Sequence, residues 1–332
     1  CIWEWADHSV YDENAKYKYT YGGDHGETYH DGNFCVDGLV YPDRTPHTGF
    51  KEAKIAYQPF FADYNGNGSV KIKNRLFFKG LDDIYVKWDI KADGELVAEG
   101  EISGLMLMPR ESNDFALFNP SDYELNGNCY LTLRFYNKTD KPWAPAGHEC
   151  GLKQFCLSDA DVNEVPVFEG TVEVDEDDRY IRISAGSNSY VFDKPYGRLE
   201  TIQHNDTDLI TKPVEMSLYR APTDNDVVYA EQWKSIGLNI LRQKTYSAEI
   251  TEKSDSKVEV TVKMSLGAYT YDPAFRGTMV YTFLADGAVL INVNGTATEG
   301  IEVLPKIGLQ LTMPEGFESF SFFGYGPHES YI

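Results

Sequence analysis

The segment Ile84-Tyr85-Val86-Lys87-Trp88-Asp89-Ile90 places an apolar residue at every second position. Side chains alternate between the two faces of a β-strand at this period, so the segment predicts a strand with one buried face. The turn Asp93-Gly94 follows, and Glu95-Leu96-Val97-Ala98 resumes a strand-like pattern. An Asp-Gly pair between two such runs is a strong hairpin signal. This part of the chain is therefore predicted to be β-structure that folds back on itself.

Short strand-like runs continue on both sides of this hairpin. Val70-Lys71-Ile72 precedes it, and Tyr130-Leu131-Thr132-Leu133-Arg134-Phe135-Tyr136 follows it. Short strands with turn signals between them are typical of an immunoglobulin-like β-sandwich, which we expect in residues 66–160. A helix is expected over Phe50–Tyr57, and it should end before Pro59 because proline cannot continue a helix.

A second β region is predicted in residues 167–332, after a polar boundary at about 157–166. Its strand-like runs are Tyr180–Ile183, Tyr190–Phe192, Val258–Val262, Met279–Phe283 and Val289–Val293. The turn Ala285-Asp286-Gly287 separates the last two runs, as in a hairpin. One short helix is expected around Ala230–Ile236. The length of this pattern predicts a large antiparallel sandwich.

The bulk composition excludes several classes of protein. The 332 residues are 42% hydrophobic and 14% aromatic, which is enough for sizeable cores and excludes a disordered tail. The formal charge is −22, from 30 basic and 52 acidic residues, so the surface repels phosphate backbones and we expect no nucleic-acid partner. No run approaches the roughly 20 apolar residues that a membrane helix needs, so we expect no membrane partner.

The cysteines are odd in number and loosely spaced, and they are Cys1, Cys35, Cys129, Cys150 and Cys156. Free thiols in a reducing compartment are the simplest interpretation. A Cys150–Cys156 disulfide is the alternative for an exported protein. His148 lies close to this pair, but the second ligand pair that a zinc site needs is missing from the sequence.

The chain opens on the aromatic and acidic run Trp3-Glu4-Trp5-Ala6-Asp7. An apolar run at the first residues, without an initiator methionine, has the form of a strand cut at its edge, so we expect a piece of a longer protein. A tryptophan covers the C–H face of a sugar ring and a carboxylate binds its hydroxyls, which makes this run a candidate sugar site. Burial of both tryptophans in a core is the alternative, and spacing alone favours it.

Three further motifs carry carboxylates in loops. Tyr21-Gly22-Gly23-Asp24-His25-Gly26-Glu27 is interpreted as a capped tight turn rather than a metal loop, because the spacing of calcium loops is absent. Arg220-Ala221-Pro222-Thr223-Asp224-Asn225-Asp226 reads as a loop whose carboxylates satisfy nearby amides. Asp37, beside Gly38, either supplies an oxygen to a hard cation, with neighbouring carbonyls supplying others, or lies in a surface turn.

Taken together, these motifs resemble those of lac-type β-galactosidases of glycoside hydrolase family 2. The motifs similar to the end of that family's catalytic barrel are Trp3–Asp7, Tyr21–Asp24, Asn33–Val40 and Asp43–His47. The motifs that resemble signatures of its C-terminal sandwich are Arg220–Asp226 and Gly324–Tyr331. Their order and spacing agree over nearly the whole chain.

The resemblance implies a mainly β chain in three parts. Residues 1–48 would be the last strand and following loops of a (β/α)8 TIM barrel. Residues 49–160 would be an immunoglobulin-like β-sandwich. Residues 167–332 would be a super-sandwich of the galactose-mutarotase type, as in the β-galactosidase small chain, and it would be incomplete at its C-terminal end.

The resemblance also implies roles for three residues. Trp3 would line the galactose subsite. Phe34 would border the same subsite with its ring and bind sodium through its backbone carbonyl. Asp37 stands where well-known members have an asparagine that binds sodium, so it retains an oxygen and adds a charge. The acid/base glutamate, the nucleophilic glutamate and the main magnesium ligands would lie outside this chain.

The resulting hypothesis is part of a retaining β-galactosidase that hydrolyses terminal β-galactosides, with the isolated chain inactive because it lacks both catalytic carboxylates. Its partners would be a β-galactoside or galactose, the missing catalytic barrel and, in a homo-oligomer, further copies of itself. The motifs Phe34–Val40 and Arg220–Asp226 point away from β-glucuronidases and β-mannosidases. The alternative is a non-catalytic sugar-binding or structural β-sandwich subunit.

Overall fold

The computed structural model describes residues 2–16, 18–159, 170–322 and 324–326. The chain divides into two compact units, one formed from residues 1–164 with 322–332 and the other from residues 165–321. Strands dominate both units, which confirms the mainly β fold. The domain bounds given above stay predictions. No helix among the described residues is long and apolar enough to cross a membrane.

The strands of the first unit are β1 (Glu4–Ala6), β2 (Val10–Tyr11), β3 (Tyr19–Thr20), β4 (Gly38–Val40), β5 (Phe60–Tyr64), β6 (Ser69–Asn74), β7 (Ile84–Ala92), β8 (Glu95–Ile102), β9 (Ser112–Ala116), β10 (Cys129–Asn137) and β11 (Glu149–Ser158). Its helices are α1 (Thr48–Ala56) and two 3₁₀ helices at Gly32–Cys35 and Pro120–Asp122. The helix predicted before Pro59 is confirmed by α1. Residues 327–331, the second part of the motif Gly324–Tyr331, lie outside the described residues.

Two sheets of the first unit form a β-sandwich, as the sequence predicts. One sheet has the order β11-β10-β7-β8, and the other has the order β5-β6-β9. The alternation in β7 is confirmed, since Val86, Trp88 and Ile90 are all buried in the shared core. The rings of Phe60 and Phe135 stack with centroids 3.5 Å apart and join the two sheets. Tight packing at this level makes the sandwich core sensitive to added volume.

The strands of the second unit are β12 (Val172–Glu176), β13 (Tyr180–Ala185), β14 (Asn188–Asp193), β15 (Arg198–His204), β16 (Thr207–Asp208), β17 (Lys212–Ser217), β18 (Arg242–Lys253), β19 (Lys257–Gly267), β20 (Phe275–Leu284), β21 (Val289–Ala297) and β22 (Gly308–Thr312). Helix α2 spans Val227–Ser235, and 3₁₀ helices span Asp224–Asp226 and Leu238–Ile240. The short helix predicted around Ala230–Ile236 is therefore confirmed, with bounds a few residues earlier.

The second unit packs a sheet of order β12-β13-β14-β15-β16 against one of order β18-β19-β20-β21, with β17 and β22 paired beside them. Two aromatic pairs join β14 to β20: Tyr190 lies 5.0 Å from Phe283, and Phe192 lies 5.0 Å from Tyr281, between ring centroids. Burial raises the pKa of the Tyr281 hydroxyl. The predicted hairpin between β20 and β21 is confirmed by their antiparallel register.

The proposed Cys150–Cys156 disulfide is wrong. Both residues lie on β11 and both are free thiols. A strand rises roughly 3.3 Å per residue, which separates their Cα atoms by about 20 Å, whereas a disulfide needs less than about 7 Å. The described residues contain no group of three or more His, Cys, Asp and Glu side chains that could hold a metal ion, so His148 does not complete a zinc site with these thiols.

Candidate functional site

The motifs at the start of the chain are organised by a parallel pair of strands. β1 pairs with β4 in parallel, with Glu4 opposite Gly38 and Ala6 opposite Val40. Parallel neighbours need a long crossover, and residues 7–37 provide it here. Trp3 and Asp37 immediately precede the two paired strands, so the register makes them neighbours. Two candidate residues far apart in sequence are thus brought to one end of a parallel pair, the pairing on which barrels are built.

The aromatic candidates are uncovered. Trp3 is 77% exposed and Phe34 is 79% exposed, and Trp5 is 59% exposed with its ring edge-on to Phe50. Neither tryptophan is therefore buried in a core within the part of the chain that the structure describes. Large aromatic faces exposed on a parallel-strand scaffold are available for a ligand or for further protein.

Phe34 sits in the 3₁₀ helix Gly32–Cys35, which hydrogen bonds fix beside β1. The amide of Phe34 donates to the Asp31 carbonyl over 3.3 Å, and the amide of Val36 donates to the Asn33 carbonyl over 3.0 Å. The amide of His8 donates to the Cys35 carbonyl over 2.7 Å. The last bond ties the loop that carries Phe34 to the segment that follows β1.

Two oxygen-bearing groups of this loop, the Phe34 carbonyl and the Asp37 carboxylate, have no hydrogen-bond or ion-pair partner among the described residues. Asp37 is also exposed. Carbonyl and carboxylate oxygens are the ligands that hard cations prefer. Both are oxygen groups of the kind that a hard cation binds, and any further ligands would have to come from other groups.

A buried carboxylate holds this region together. Asp7 is 8% exposed, and its Oδ1 atom accepts a hydrogen bond from the Gly38 amide over 2.9 Å. Its Oδ2 atom lies 2.8 Å from Nε2 of His47, the residue that caps the start of α1. The His47 ring stacks on Tyr41 with centroids 3.8 Å apart. One side chain thus links β1, β4 and α1.

The loop Tyr21–Glu27 is a capped turn, as interpreted from the sequence. Asp24 accepts a hydrogen bond from the Tyr21 amide, and Glu27 accepts from the amides of Gly23 and His25, at 2.7–3.1 Å. These amides hold the pKa of the Glu27 carboxyl below its ordinary value. Gly22 has φ of +33°, and a Cβ there would lie 1.8 Å from the Gly32 carbonyl oxygen, so the close approach requires glycine.

A cavity of about 670 Å³ opens between this capped turn and the segment around β1. Its polar lining includes Glu4, Asp7, His8, His25, Glu27 and Arg44. The Glu4 Oε2 atom lies 3.5 Å from the His8 Nε2 atom. Glu4, His25 and Arg44 of this lining belong to motifs that the sequence analysis singled out, whereas His8 belongs to none of them. Trp3 and Phe34 do not line this cavity.

The motif Arg220–Asp226 lies in the second unit and forms a self-contained loop. Arg220 forms a two-pronged ion pair with Asp226, and its Nη2 atom lies 3.0 Å from Oδ1. The Thr223 amide and hydroxyl also donate to Asp226, over 2.7 and 3.0 Å. The guanidinium, followed by these donors, lowers the pKa of the Asp226 carboxyl to about 2. These contacts confirm the interpretation of a loop whose carboxylate satisfies local donors.

Models of known families match three successive parts of the chain. Residues 1–61 match the TIM barrel domain of glycosyl hydrolases family 2. Residues 70–158 match β-galactosidase domain 4, and residues 184–332 match the β-galactosidase small chain. The barrel match covers β1 and β4, and the domain 4 match covers most of the sandwich of the first unit.

Curated proteins named β-galactosidase match over the same length. The protein from Actinobacillus pleuropneumoniae is 31% identical over 100% of this chain and 33% of its own length. Those from Staphylococcus xylosus and Vibrio cholerae are each 28% identical over 99% of this chain, and over 34% and 33% of their own lengths. The chain thus spans about a third of the curated relatives that it matches. Because three models of β-galactosidase and family 2 domains match in succession along the chain, and these relatives match its whole length, the chain belongs to glycoside hydrolase family 2.

Proposed function

We propose that this chain is part of a retaining β-galactosidase that hydrolyses terminal β-D-galactosides. The observation that carries the proposal is the match of the whole chain to proteins named β-galactosidase, together with the match of residues 1–61 to the TIM barrel domain of glycosyl hydrolases family 2. In a retaining glycosidase, one carboxylate forms a glycosyl ester and a second protonates the leaving group. Both glutamates would lie outside this chain, in the remainder of the barrel.

Within that enzyme, the chain would contribute one wall of the galactose subsite through Trp3 and Phe34. Their exposed rings support this role, because stacking on a pyranose needs an uncovered aromatic face. The hydrogen bond from the His8 amide to the Cys35 carbonyl would hold the Phe34 loop at a fixed distance from β1. Such rigid placement is what a subsite needs in order to orient a sugar.

The Phe34 carbonyl and the Asp37 carboxylate would bind sodium, which would supply a fixed positive charge beside the sugar. Asp37 adds a negative charge to the oxygen donors, which would strengthen cation binding through simple electrostatics. Magnesium would be held in the whole enzyme by ligands outside this chain. An Asp37→Ala variant of the longer protein should lose the sodium dependence of KM, while Asp63→Ala, which replaces an exposed aspartate on the outer face of β5, should retain it.

The test of the activity is a panel of nitrophenyl glycosides given to the longer protein and, in parallel, to the 332-residue chain. We expect the longer protein to turn over the β-galactoside and the chain to show no turnover. Turnover by the chain alone would mean that the catalytic carboxylates lie within it. If the longer protein preferred a β-glucuronide or β-mannoside, the family assignment would stand but the proposed galactoside substrate would be wrong.

A second candidate is a non-catalytic sugar-binding or structural subunit, which the exposed Trp3 and Phe34 rings would also serve. The two candidates differ in what the chain does alone. Saturable quenching of tryptophan fluorescence by galactose, abolished by Trp3→Ala and unaffected by Trp143→Ala, would favour the sugar-binding subunit. Binding that requires the longer protein would favour the enzyme.

A further inference from the structure

The sequence contains four Asn-Gly pairs, which begin at Asn65, Asn67, Asn126 and Asn294. Asparagine is chemically labile, and a following glycine leaves its own backbone nitrogen open to approach because it carries no side chain. That nitrogen bonds to the asparagine Cγ atom when the asparagine side chain is free to rotate and the glycine amide is free of a hydrogen bond. The four pairs therefore share one reactivity, and the fold decides which of them can use it.

The pair Asn126-Gly127 meets both conditions. Asn126 is exposed, in the segment between the 3₁₀ helix Pro120–Asp122 and β10. Among the described residues, neither the Asn126 side chain nor the Gly127 amide has a hydrogen-bond partner. The backbone carbonyls of the pair are held instead, by the Cys129 thiol over 3.1 Å and by the Ser158 hydroxyl over 2.9 Å. The backbone is thus anchored while the two reacting groups stay free.

The pair Asn65-Gly66 is restrained on the asparagine side. The Asn65 Nδ2 atom donates to the Ser69 hydroxyl and to Asp114 Oδ1, each over 3.0 Å. Both hydrogen bonds must break before the Asn65 Cγ atom can turn towards the Gly66 nitrogen. Because each lost bond raises the barrier, this pair reacts more slowly than a free one.

In the pair Asn67-Gly68 both reacting groups are engaged. The Asn67 Oδ1 atom accepts from the Ser69 hydroxyl over 2.6 Å, which holds the side chain. The Gly68 amide donates to the Tyr64 hydroxyl over 3.1 Å, which occupies the attacking nitrogen. This pair is therefore protected at both ends.

The pair Asn294-Gly295 lies within β21 and is restrained by the sheet. Asn294 is the register partner of Thr278, and Gly295 is the register partner of Gly277, both on β20. Bonding of the glycine nitrogen to Cγ closes a five-membered ring that fixes the ψ angle of the asparagine outside the range of a paired strand. The pair would have to leave the ladder before it reacts.

We propose that Asn126 is a site of spontaneous deamidation in the folded chain, where the other three pairs are protected. The Gly127 nitrogen bonds to Asn126 Cγ and loses its proton to solvent, and the side-chain nitrogen takes up one proton and leaves as ammonia. Water then opens the resulting succinimide ring. Attack at Cγ gives aspartate, whereas attack at the backbone carbonyl carbon gives isoaspartate, in which the main chain runs through Cγ. Water is the only co-reactant, so the reaction does not depend on the function proposed above.

Isoaspartate at this position would disturb the turn between β7 and β8. Gly127 lies tightly against Asp93, since a Cβ on Gly127 would lie 2.1 Å from Asp93 Oδ2. The Asp93 Oδ1 atom accepts from the Asn128 amide over 3.0 Å, and this amide lowers the pKa of the Asp93 carboxyl. Isoaspartate inserts one methylene into the main chain beside this contact and adds a negative charge. The hydrogen bond between Asn128 and Asp93 therefore loosens when Asn126 is modified.

The test follows all four asparagines of the 332-residue chain by peptide mass spectrometry during incubation at mildly alkaline pH. Isotopically labelled water marks only the molecules whose ring opened during the incubation. We expect Asn126 to react about tenfold or more faster than each of the other three in the folded chain. In urea the four rates should agree within about threefold, because every pair then has a free side chain and a free glycine nitrogen.

Two serine variants tie the protection to the contacts described. Ser69→Ala removes the hydroxyl that binds the side chains of Asn65 and Asn67, so both should deamidate about threefold or more faster, with Asn126 unchanged. Ser112→Ala replaces an exposed serine on β9 and is the matched control, which should alter none of the rates.

The proposal would be overturned if Asn126 reacted no faster than the other three asparagines in the folded chain. It would also be overturned if Asn126 stayed intact there while the sample in urea reacted. Equal rates in Ser69→Ala and Ser112→Ala would contradict protection by the Ser69 hydroxyl. In chains that carry isoaspartate, deuterium exchange of the Asn128 amide should accelerate, and unaltered exchange would contradict the loosening of its bond to Asp93.

Discussion

The carboxylate of Asp7 and the imidazole of His47 lie 2.8 Å apart, although 40 residues separate them in the sequence. The pair is shielded, because the Asp7 side chain is 5% exposed and the His47 side chain is 27% exposed. Asp7 also accepts from the Gly38 amide, so one carboxylate supports the parallel strand pair and the start of α1 together. The loop between these strands carries Phe34 and Asp37, so their placement depends on this contact.

Replacing Asp7 should loosen the whole region that carries the candidate site. Asp7→Ala leaves the Gly38 amide and the His47 ring without their acceptor, and we expect a local loss of about 2–3 kcal/mol. Hydrogen–deuterium exchange of residues 38–47 should accelerate accordingly. Glu4→Gln removes the carboxylate that lies beside the exposed His8 ring, and it should leave this exchange unchanged within about 0.5 kcal/mol. Unaltered exchange in Asp7→Ala would show that the pair does not hold the strands.

The Arg220–Asp226 pair should make the second unit sensitive to acid. The Asp226 carboxyl has a pKa of about 2 in the folded chain against an ordinary value of 3.8. Because the folded pKa is lowered, the pair stabilises the fold above about pH 4, and this contribution is lost as the pH falls towards 2. We expect Arg220→Ala to lower the free energy of unfolding by about 1–2 kcal/mol at pH 7 and by much less near pH 2.

Arg182 is the matched control for this effect. Its ion pairs with Asp175 and Asp177 join side chains that are 45–79% exposed, and such pairs contribute about 0.5 kcal/mol or less. The measurement is urea unfolding at several pH values, monitored by the fluorescence of Trp233, which is buried beside the Arg220 guanidinium. An Arg220→Ala effect that is equally large at pH 7 and pH 2 would rule out the ionised pair as its cause.

The sandwich of the first unit should not tolerate a side chain at position 100. A Cβ on Gly100 would lie 2.5 Å from the ring of Trp88, which is 7% exposed and packed in the core. Gly100→Val should therefore destabilise this unit by about 2–3 kcal/mol, since overpacking displaces either the ring or the strand. A Cβ on Gly94, in the turn before β8, would meet no atom within 4 Å. Gly94→Ala therefore adds backbone strain at a φ of +91° without overpacking, and its unfolding midpoint serves as the comparison. A lower urea-unfolding midpoint for Gly94→Ala than for Gly100→Val would contradict the packing argument.

Oxidation should not join Cys150 to Cys156. Residues six apart on one extended strand cannot approach within disulfide distance without unfolding of β11. After incubation with oxidised glutathione, intact-mass and peptide spectra should show both residues free or singly modified. Modification should occur first at Cys156, because it is exposed whereas Cys150 is partly buried. A linked peptide containing both residues, formed without loss of structure, would contradict the strand assignment.

Removal of the Trp3 ring should weaken galactoside binding in the longer protein. Trp3→Ala is expected to raise KM for a nitrophenyl β-galactoside about tenfold, since an aromatic contact contributes about 0.5–1.5 kcal/mol in addition to the apolar area that it buries. Because Trp3 is 77% exposed, the fold should be unaffected. Phe78→Ala removes another exposed ring, in the segment before β7, and its KM should equal that of the wild type. An unchanged KM in Trp3→Ala would remove this residue from the subsite.

The local sequence pattern predicted those strands that bury one face and expose more of the other. β7, β10 and β20 each bury alternate residues, and their sequences alternate accordingly. β9 and β11 lie at the edges of their sheets, where more of the side chains stay exposed, so Ser112–Ala116 and Glu149–Ser158 lack the pattern that marks a strand. The disulfide hypothesis failed for the same reason, because no signal in the sequence placed Cys150 and Cys156 on one extended strand.

Residues close together along the chain, or motifs in a fixed order, were enough to predict the β character of the chain, the helix before Pro59, the capped turn at Tyr21–Glu27 and the family resemblance. The folded chain was needed to show that Trp3 and Phe34 are exposed, that Trp3 and Asp37 are register neighbours and that Asp7 reaches His47. Burial and partnership depend on segments 30 or more residues apart, and no local pattern in the sequence specifies which of those segments meet.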